Sequence, residues 1–398
     1  MALSEKAAGL PASETLTITK KVRELKDAGI DVIGLTLGEP DFNTPLHIRE
    51  AAKQAIDDGF THYTPVAGIP ELRKAIAEKL VRENGLTQFG PQNIVVSNGA
   101  KQSIYNLFLA MVNPGEEVII PAPYWVSYKG IADLAEAKSV ILPAGVEREY
   151  KMDPEAIDKA INPNTKLIIF SSPCNPTGTM YTHEELHEIA KVLAKHPHVY
   201  IISDEIYEHL VFEKPHVSIG IFPEVADQVI VVNGFSKGFA MTGWRLGYAA
   251  APLAIAELSE KLQGQSTSGA NSITQKAALA ALSGDLGPVL AMRDAFRLRK
   301  EMVHDMLAAI PGVKALDPDG AFYFYPDLSA FFGKSSPTGK RIDDIEQLCL
   351  YLMEEGGVAL IPGTAFGTTK EVRISYAYEK SLLEEAIRRL SVALRKLQ

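Results

Sequence analysis

Cysteine is scarce in this chain. Only Cys174 and Cys349 occur among 398 residues, which excludes a disulfide framework and a four-cysteine metal site and fits a reducing compartment. A basic excess is missing too: 40 Lys and Arg stand against 49 Asp and Glu, a net charge of −9. Nucleic-acid-binding surfaces carry the opposite imbalance, so no nucleic-acid partner is expected. No apolar run reaches the roughly 18 residues of a membrane span, so no membrane partner is expected either. The opening MALSEKAAG lacks the basic flank and apolar stretch of a signal peptide, and the expected location is the cytoplasm. Nine histidines form no HExxH set, and no metal is expected. His183 and His187 stand at i and i+4, a spacing that suits either zinc on a helix face or a plain polar face. No GxSxG elbow of a serine hydrolase occurs.

What is present is globular in character. Hydrophobic residues make up 46% and charged residues 22%, both ordinary for a folded chain. At about 150 residues per domain the length suggests two to three domains, with a core that needs no staples. Five short runs rich in Ile and Val recur through the middle: 93–97, 117–120, 167–170, 199–203 and 229–233. Helix-length segments separate them, the pattern of parallel strands buried on both faces. Between the third and fourth, Leu186, Ile189, Ala190 and Leu193 follow helical spacing. Thr182 with Glu185 supplies a capping box at the start of that helix. The expected fold class is therefore α/β, a large domain with a mostly parallel sheet flanked by helices.

The last third reads as a smaller α+β domain, with helices over 291–309, 342–355 and 379–397 and a strand over 322–325. GKSSPTGK, 333–340, reads as a surface loop. The expected partition is a large domain over 47–290 and a small one over 1–46 with 291–398.

Ligands of an open parallel sheet sit at the carboxyl ends of its strands, so the residues after each run carry the chemistry. Asn98-Gly99-Ala100-Lys101 is a glycine turn into a helix, an anion site in form. Asn175 lies in SSPCNPTG, Asp204 and Tyr207 in SDEIY, and Lys237 and Arg245 in SKGFAMTGWR. Singly each has a plain reading: a turn, a helix cap, a surface charge. Together they set an amide, a carboxylate with a phenol, and a lysine with an arginine at successive strand ends. The intervals from Asn175 to Asp204 and on to Lys237 are 29 and 33 residues, each one strand–helix–strand step.

SPCNPTG, SDEIY and SKGFAMTGWRLGY resemble the signature of fold type I pyridoxal-phosphate aminotransferases. The resemblance runs in order from LGEPDF at 37–42 to VRISYA at 372–377, and it is closest to the bacterial and plant branch of aspartate aminotransferases. It implies a large domain with a seven-stranded-type sheet. It implies a Schiff base between Lys237 and the aldehyde of pyridoxal 5'-phosphate, with the freed amine then shuttling a proton. That amine must be neutral to attack, so a depressed pKa is expected. Asp204 is implied at the pyridine nitrogen, and Tyr207 with Asn175 at the ring's phenolic oxygen. The implied phosphate cradle is Gly99 and Ala100 through backbone N–H, Ser236, Arg245, and Tyr63 from the partner subunit of a homodimer with shared sites. Many relatives carry one more hydroxyl three residues before the lysine, where this chain has Gly234. Trp125 is implied to stack on the ring, against its plain reading as a core aromatic.

For the substrate, the resemblance assigns the α-carboxylate to Arg373, assisted by Gly38 and Asn175. It assigns a distal carboxylate to Lys101, Ser13 and Thr15, with a lid over 11–17. The plain alternatives are a strand arginine, a helix-end charge and a helix cap. Pro123 and Pro176 are expected to be cis. The implied activity is ping-pong transfer from L-aspartate to 2-oxoglutarate, between small amino and 2-oxo acids. Rivals are a prephenate, aromatic or broad-specificity aminotransferase and a carbon–sulfur lyase, which pyruvate and ammonia as products would mark. A non-catalytic cofactor-binding regulator is a further rival.

Overall fold

The computed structural model describes residues 3–10 and 14–398. Its centre is a seven-stranded sheet in the order Ile94–Ser97, Gly247–Ala250, Val229–Gly234, Tyr200–Asp204, Thr165–Ser171, Glu117–Ala122, Lys138–Pro143. Gly247–Ala250 runs antiparallel to both neighbours; the remaining pairings are parallel. All five Ile/Val runs are strands of this sheet.

Strand alternation divides these runs between two apolar layers. Ile119, Ile168, Ile201 and Val231 face one layer, with the helices Pro70–Asn84, His183–Leu193 and Ser272–Ser283. Val118, Ile169, Ile202 and Val232 face the other, with Ala100–Met111, Ser127–Leu134 and Leu253–Ser266. Both faces being covered is what lets the runs dispense with polar alternation. The Thr182 capping box forms: its hydroxyl accepts from Glu185 N at 3.2 Å, and Thr182 N donates to the Glu185 carboxylate at 2.8 Å.

A separate apolar cluster holds the C-terminal third. It joins Phe296, Leu307, Phe322, Leu348, Ile374 and Leu390, and takes in Ile33 and Leu35 from the N-terminal side. Ile33–Gly34 pairs in parallel with Val358–Ala359, and Tyr323–Phe324, Val372–Ser375 and Ile361–Pro362 form a three-stranded sheet.

Some local expectations change. The long helix spans Gly287–Ala308, earlier than expected, because Pro288 suits a first turn whose N–H groups need no helical acceptor. Residues 333–340 are not simply loop. Lys334–Ser335 pairs with Arg341–Ile342 as a short hairpin, and Ser335 N donates to Gln398 O at 2.7 Å. The cis peptide bonds are Ala122–Pro123 and Ser172–Pro173, so Pro123 is as expected and Pro176 is not. Pro176 lies in a turn closed by Gly178 N donating to Cys174 O at 2.8 Å, a helical-type turn that suits the φ of a trans proline.

Candidate active site

The strand ends converge as the topology requires. Asp204 ends its strand, Asn175 follows Thr165–Ser171, and Lys237 follows Val229–Gly234. They line one cavity of about 560 Å³, with Ala100, Trp125 and Tyr207. Ser236, Arg245, Arg373, Gly38, Lys101 and Thr15 line it too.

Among the described residues, two expected ones do not. Gly99 spends its N–H on Ser97 O at 2.7 Å, so it is no anion donor. Its φ of +87° and its closeness to Arg245 Nη2, which a Cβ would approach to 2.4 Å, are what call for glycine. Gln102 N is spent likewise on Gly99 O at 3.0 Å, so the N–H groups this helix start can offer an anion are those of Ala100 and Lys101. Tyr63 stands 98% exposed, away from the cavity. Ser13, with Pro11 and Ala12 of the expected lid, lies outside the described residues; Thr15 and the rest of the lid belong to the helix Glu14–Asp27 rather than to a loop.

The polar contacts are specific. Lys237 Nζ donates to Gly38 O. Asp204 Oδ2 accepts from Tyr128 at 2.7 Å and its Oδ1 from Ile206 N at 3.3 Å. Arg373 is 2% exposed; it donates to Asn175 Oδ1 at 3.0 Å and Thr36 O at 2.8 Å, over the Tyr323 and Phe366 rings. Its Nε has no partner among the described residues. Arg245 is aimed by Thr242 O at 2.9 Å and Asn98 O at 3.3 Å. Lys101 Nζ lies 5.0 Å from the Trp125 ring centre. Gly234 leaves no room for the missing hydroxyl: a Cβ there would stand 2.7 Å from Gly247 Cα.

A family model described as "Aminotransferase class I and II" matches residues 30–390. The chain belongs to the class I and II aminotransferases. The aspartate/prephenate aminotransferase of Cereibacter sphaeroides is 48% identical over 98% of this chain and 97% of its own. The aspartate aminotransferase of Pinus pinaster is 47% identical over 99% of this chain and 81% of its own. The aspartate aminotransferase structure from Rhizobium meliloti superposes with a TM-score of 0.97 at 38% identity, covering 100% of both chains. That from Thermus thermophilus with maleate gives 0.92 at 40%, covering 99% of this chain and 100% of its own.

The electrostatics of this aminotransferase follow from burial. Desolvation lowers the Lys237 ammonium to about 8, so the neutral amine is within reach near physiological pH. Desolvation raises Asp204 to about 6, against the hydrogen bonds from Tyr128 and Ile206 and the charge of Lys237. Burial, then the nearby Arg245, lowers Lys101. Cys174 is pushed up by burial, so its thiol is a poor nucleophile.

Among the lining residues of the aminotransferase that sequence reading missed are Tyr128, Tyr323 and Thr364. Tyr128 follows Trp125 by one helical turn, a signal that was available. Tyr323 shares a hydrogen bond with Tyr207 at 3.0 Å; the sequence marks it only as part of a strand over 322–325. Thr364 lines the cavity with a hydroxyl that has no partner among the described residues, and no motif marked it. His187 pairs with Glu224 at 3.0 Å and stacks on Phe222, which accounts for its helix-face position.

Proposed function

We propose that the chain is an aspartate aminotransferase, transferring the amino group of L-aspartate to 2-oxoglutarate to give oxaloacetate and L-glutamate. The observation that carries this is Arg373. It is a buried guanidinium with an unspent Nε, in a cavity it shares with Lys101 and Lys237. The two carboxylates of aspartate answer Arg373 and Lys101, its α-amino group falls to the reacting amine Lys237, and the relatives above are named for action on aspartate.

The donor set fits pyridoxal 5'-phosphate: a depressed amine, a buried carboxylate, a phenol, and the arginine laid against a helix start by Gly99. When bound, this cofactor supplies an electron sink for charge developing at the substrate's α-carbon. Lys237 takes the proton from that carbon and returns it. Asp204 holds a proton at the ring nitrogen. Tyr207 and Asn175 serve the phenolic oxygen, and Trp125 covers the ring face. Ala100, Ser236 and Arg245 hold the phosphate, with Tyr63 of a second copy; its full exposure suits a role completed only in a homodimer. Arg373, with Asn175 and the backbone of Gly38, binds the α-carboxylate. Lys101 and Thr15, with Ser13, take the distal one. We assign 47–290 to the cofactor domain and 1–46 with 291–398 to the small domain. No described helix is long and apolar enough to cross a membrane, and a cytoplasmic location is part of this reading.

Absorbance spectra before and after aspartate test it. The near-visible band of the cofactor-loaded enzyme bleaches while oxaloacetate appears stoichiometrically. A band bleached only by another amino acid overturns the substrate assignment. No band after incubation with pyridoxal phosphate overturns the whole reading. Prephenate is the second reading, favoured by the name of the Cereibacter relative; prephenate as sole amino acceptor decides it.

A further inference from the structure

Asp204 has one partner outside its own segment that the reading above does not use. Tyr128 sits on the helix Ser127–Leu134 and is 1% exposed. Its hydroxyl donates to Asp204 Oδ2 at 2.7 Å across 76 positions of sequence. Its ring meets Trp125 edge-on at 5.5 Å, so one helix start supplies both the ring-covering indole and the donor to the carboxylate.

Every other group near Asp204 leaves this task undone. Ile206 N lies at a longer 3.3 Å, on Oδ1. The Lys237 ammonium gives its hydrogen bond to Gly38 O. Ser171 and Cys174, from the adjoining strand and turn, flank the same small cavity as Tyr128, and the Ser171 hydroxyl has no partner among the described residues. A buried carboxylate favours its neutral form unless donors stabilise the anion. Tyr128 is the short, fully buried donor. Burial also pushes its own phenol far up, so it keeps its proton and acts only as a donor.

We propose that Tyr128 is a positioning residue for the aminotransferase reaction, its phenol keeping Asp204 anionic and turned so that Oδ1 is left for the cofactor's ring nitrogen. The proposal rests on the pyridoxal-phosphate reading above. No proton passes to or from Tyr128. The hydrogen bond decides on which side of the Asp204–ring nitrogen pair the shared proton resides.

The test uses the holoenzyme loaded with pyridoxal phosphate carrying 15N in its ring. In the parent at neutral pH the ring-nitrogen resonance lies at the protonated position. In Tyr128→Phe it moves toward the unprotonated position and kcat falls about 10- to 100-fold, while KM for aspartate stays within about 3-fold. Tyr128→His, which restores a donor, returns the resonance and most of kcat, and it is read on its own should the Phe variant fold poorly. An unmoved resonance in Tyr128→Phe overturns the proposal, even if kcat drops. A folded His variant with an unprotonated ring nitrogen overturns it as well. A parent that binds no cofactor overturns the underlying reading instead, and the two failures are thereby distinct.

Discussion

The segment Asp204–His209 serves two regions of opposite character. Asp204 and Tyr207 face the cavity; Glu208 faces away from it. Glu208 is saturated: Lys79 donates to Oε1, Asn233 to the same oxygen at 2.7 Å, and Asn84 to Oε2 at 2.8 Å. Burial alone would raise its carboxyl, yet the Lys79 ammonium, with His209 and His216, holds it far below the usual range. Asp204, equally buried, has hydrogen bonds but no cation in direct contact, and its carboxyl is raised to about 6. Lys237 is a cation held by a carbonyl instead of a carboxylate, and Arg373 keeps a donor unspent. Charge satisfied within the chain stabilises the fold. Charge left unsatisfied costs stability and is available to a ligand.

Glu205, Glu208 and His216 also bring ligand atoms within 4.8 Å of one another. The Lys79 ammonium already occupies Glu208, and Glu205 Oε1 accepts from Ser203 at 2.9 Å and Ser218 at 2.5 Å. Protein groups thus satisfy Glu208, whereas Glu205 Oε2 has no hydrogen-bond partner among the described residues and burial raises that carboxyl.

The contrast can be broken from either side. Lys237→Ala has the largest effect: kcat/KM for aspartate falls at least about 10,000-fold. Thermal unfolding of the cofactor-free variant occurs no lower than the parent's, because an uncompensated buried amine is gone. Lys79→Met does the reverse. It strands Glu208 and lowers unfolding free energy by about 3–5 kcal/mol in urea titrations, with kcat of the folded enzyme within about 3-fold. Arg373→Lys keeps the charge but loses the planar fork, and KM for aspartate rises about 100-fold in steady-state assays. Lys101→Gln gives the smallest change, a rise of about 10-fold in KM for aspartate with little change for a neutral amino donor.

The same contrast explains what was legible in the sequence. The sheet was readable because double burial writes itself as uninterrupted Ile/Val runs. Asp204, Asn175 and Lys237 were readable as polar residues placed directly after those runs. Thr364 was not legible, because its meaning lies in a cavity assembled by tertiary packing; Tyr128 was marked by its spacing from Trp125, but its partner Asp204, 76 positions away, was not. The glycine at 234 looked like a lost contact; the packed Gly247 backbone opposite it shows a steric requirement. The role of Gly99 was misread for a related reason: its N–H is bound locally, and its missing Cβ is what matters.

The most direct test is the stability of cofactor-free Asp204→Asn against the parent, by urea unfolding across pH. In the parent the folded carboxyl titrates near 6 against an ordinary 3.8, so the folded state binds the proton more tightly. Its stabilising share is present in acid and is lost as pH rises through that window. The variant has no such loss. The predicted result is a stability difference that shifts in favour of Asp204→Asn by about 2 kcal/mol between pH 4 and pH 8. A flat difference, or one that shifts toward the parent as pH rises, would contradict the claim that Asp204 is held as an unsatisfied charge.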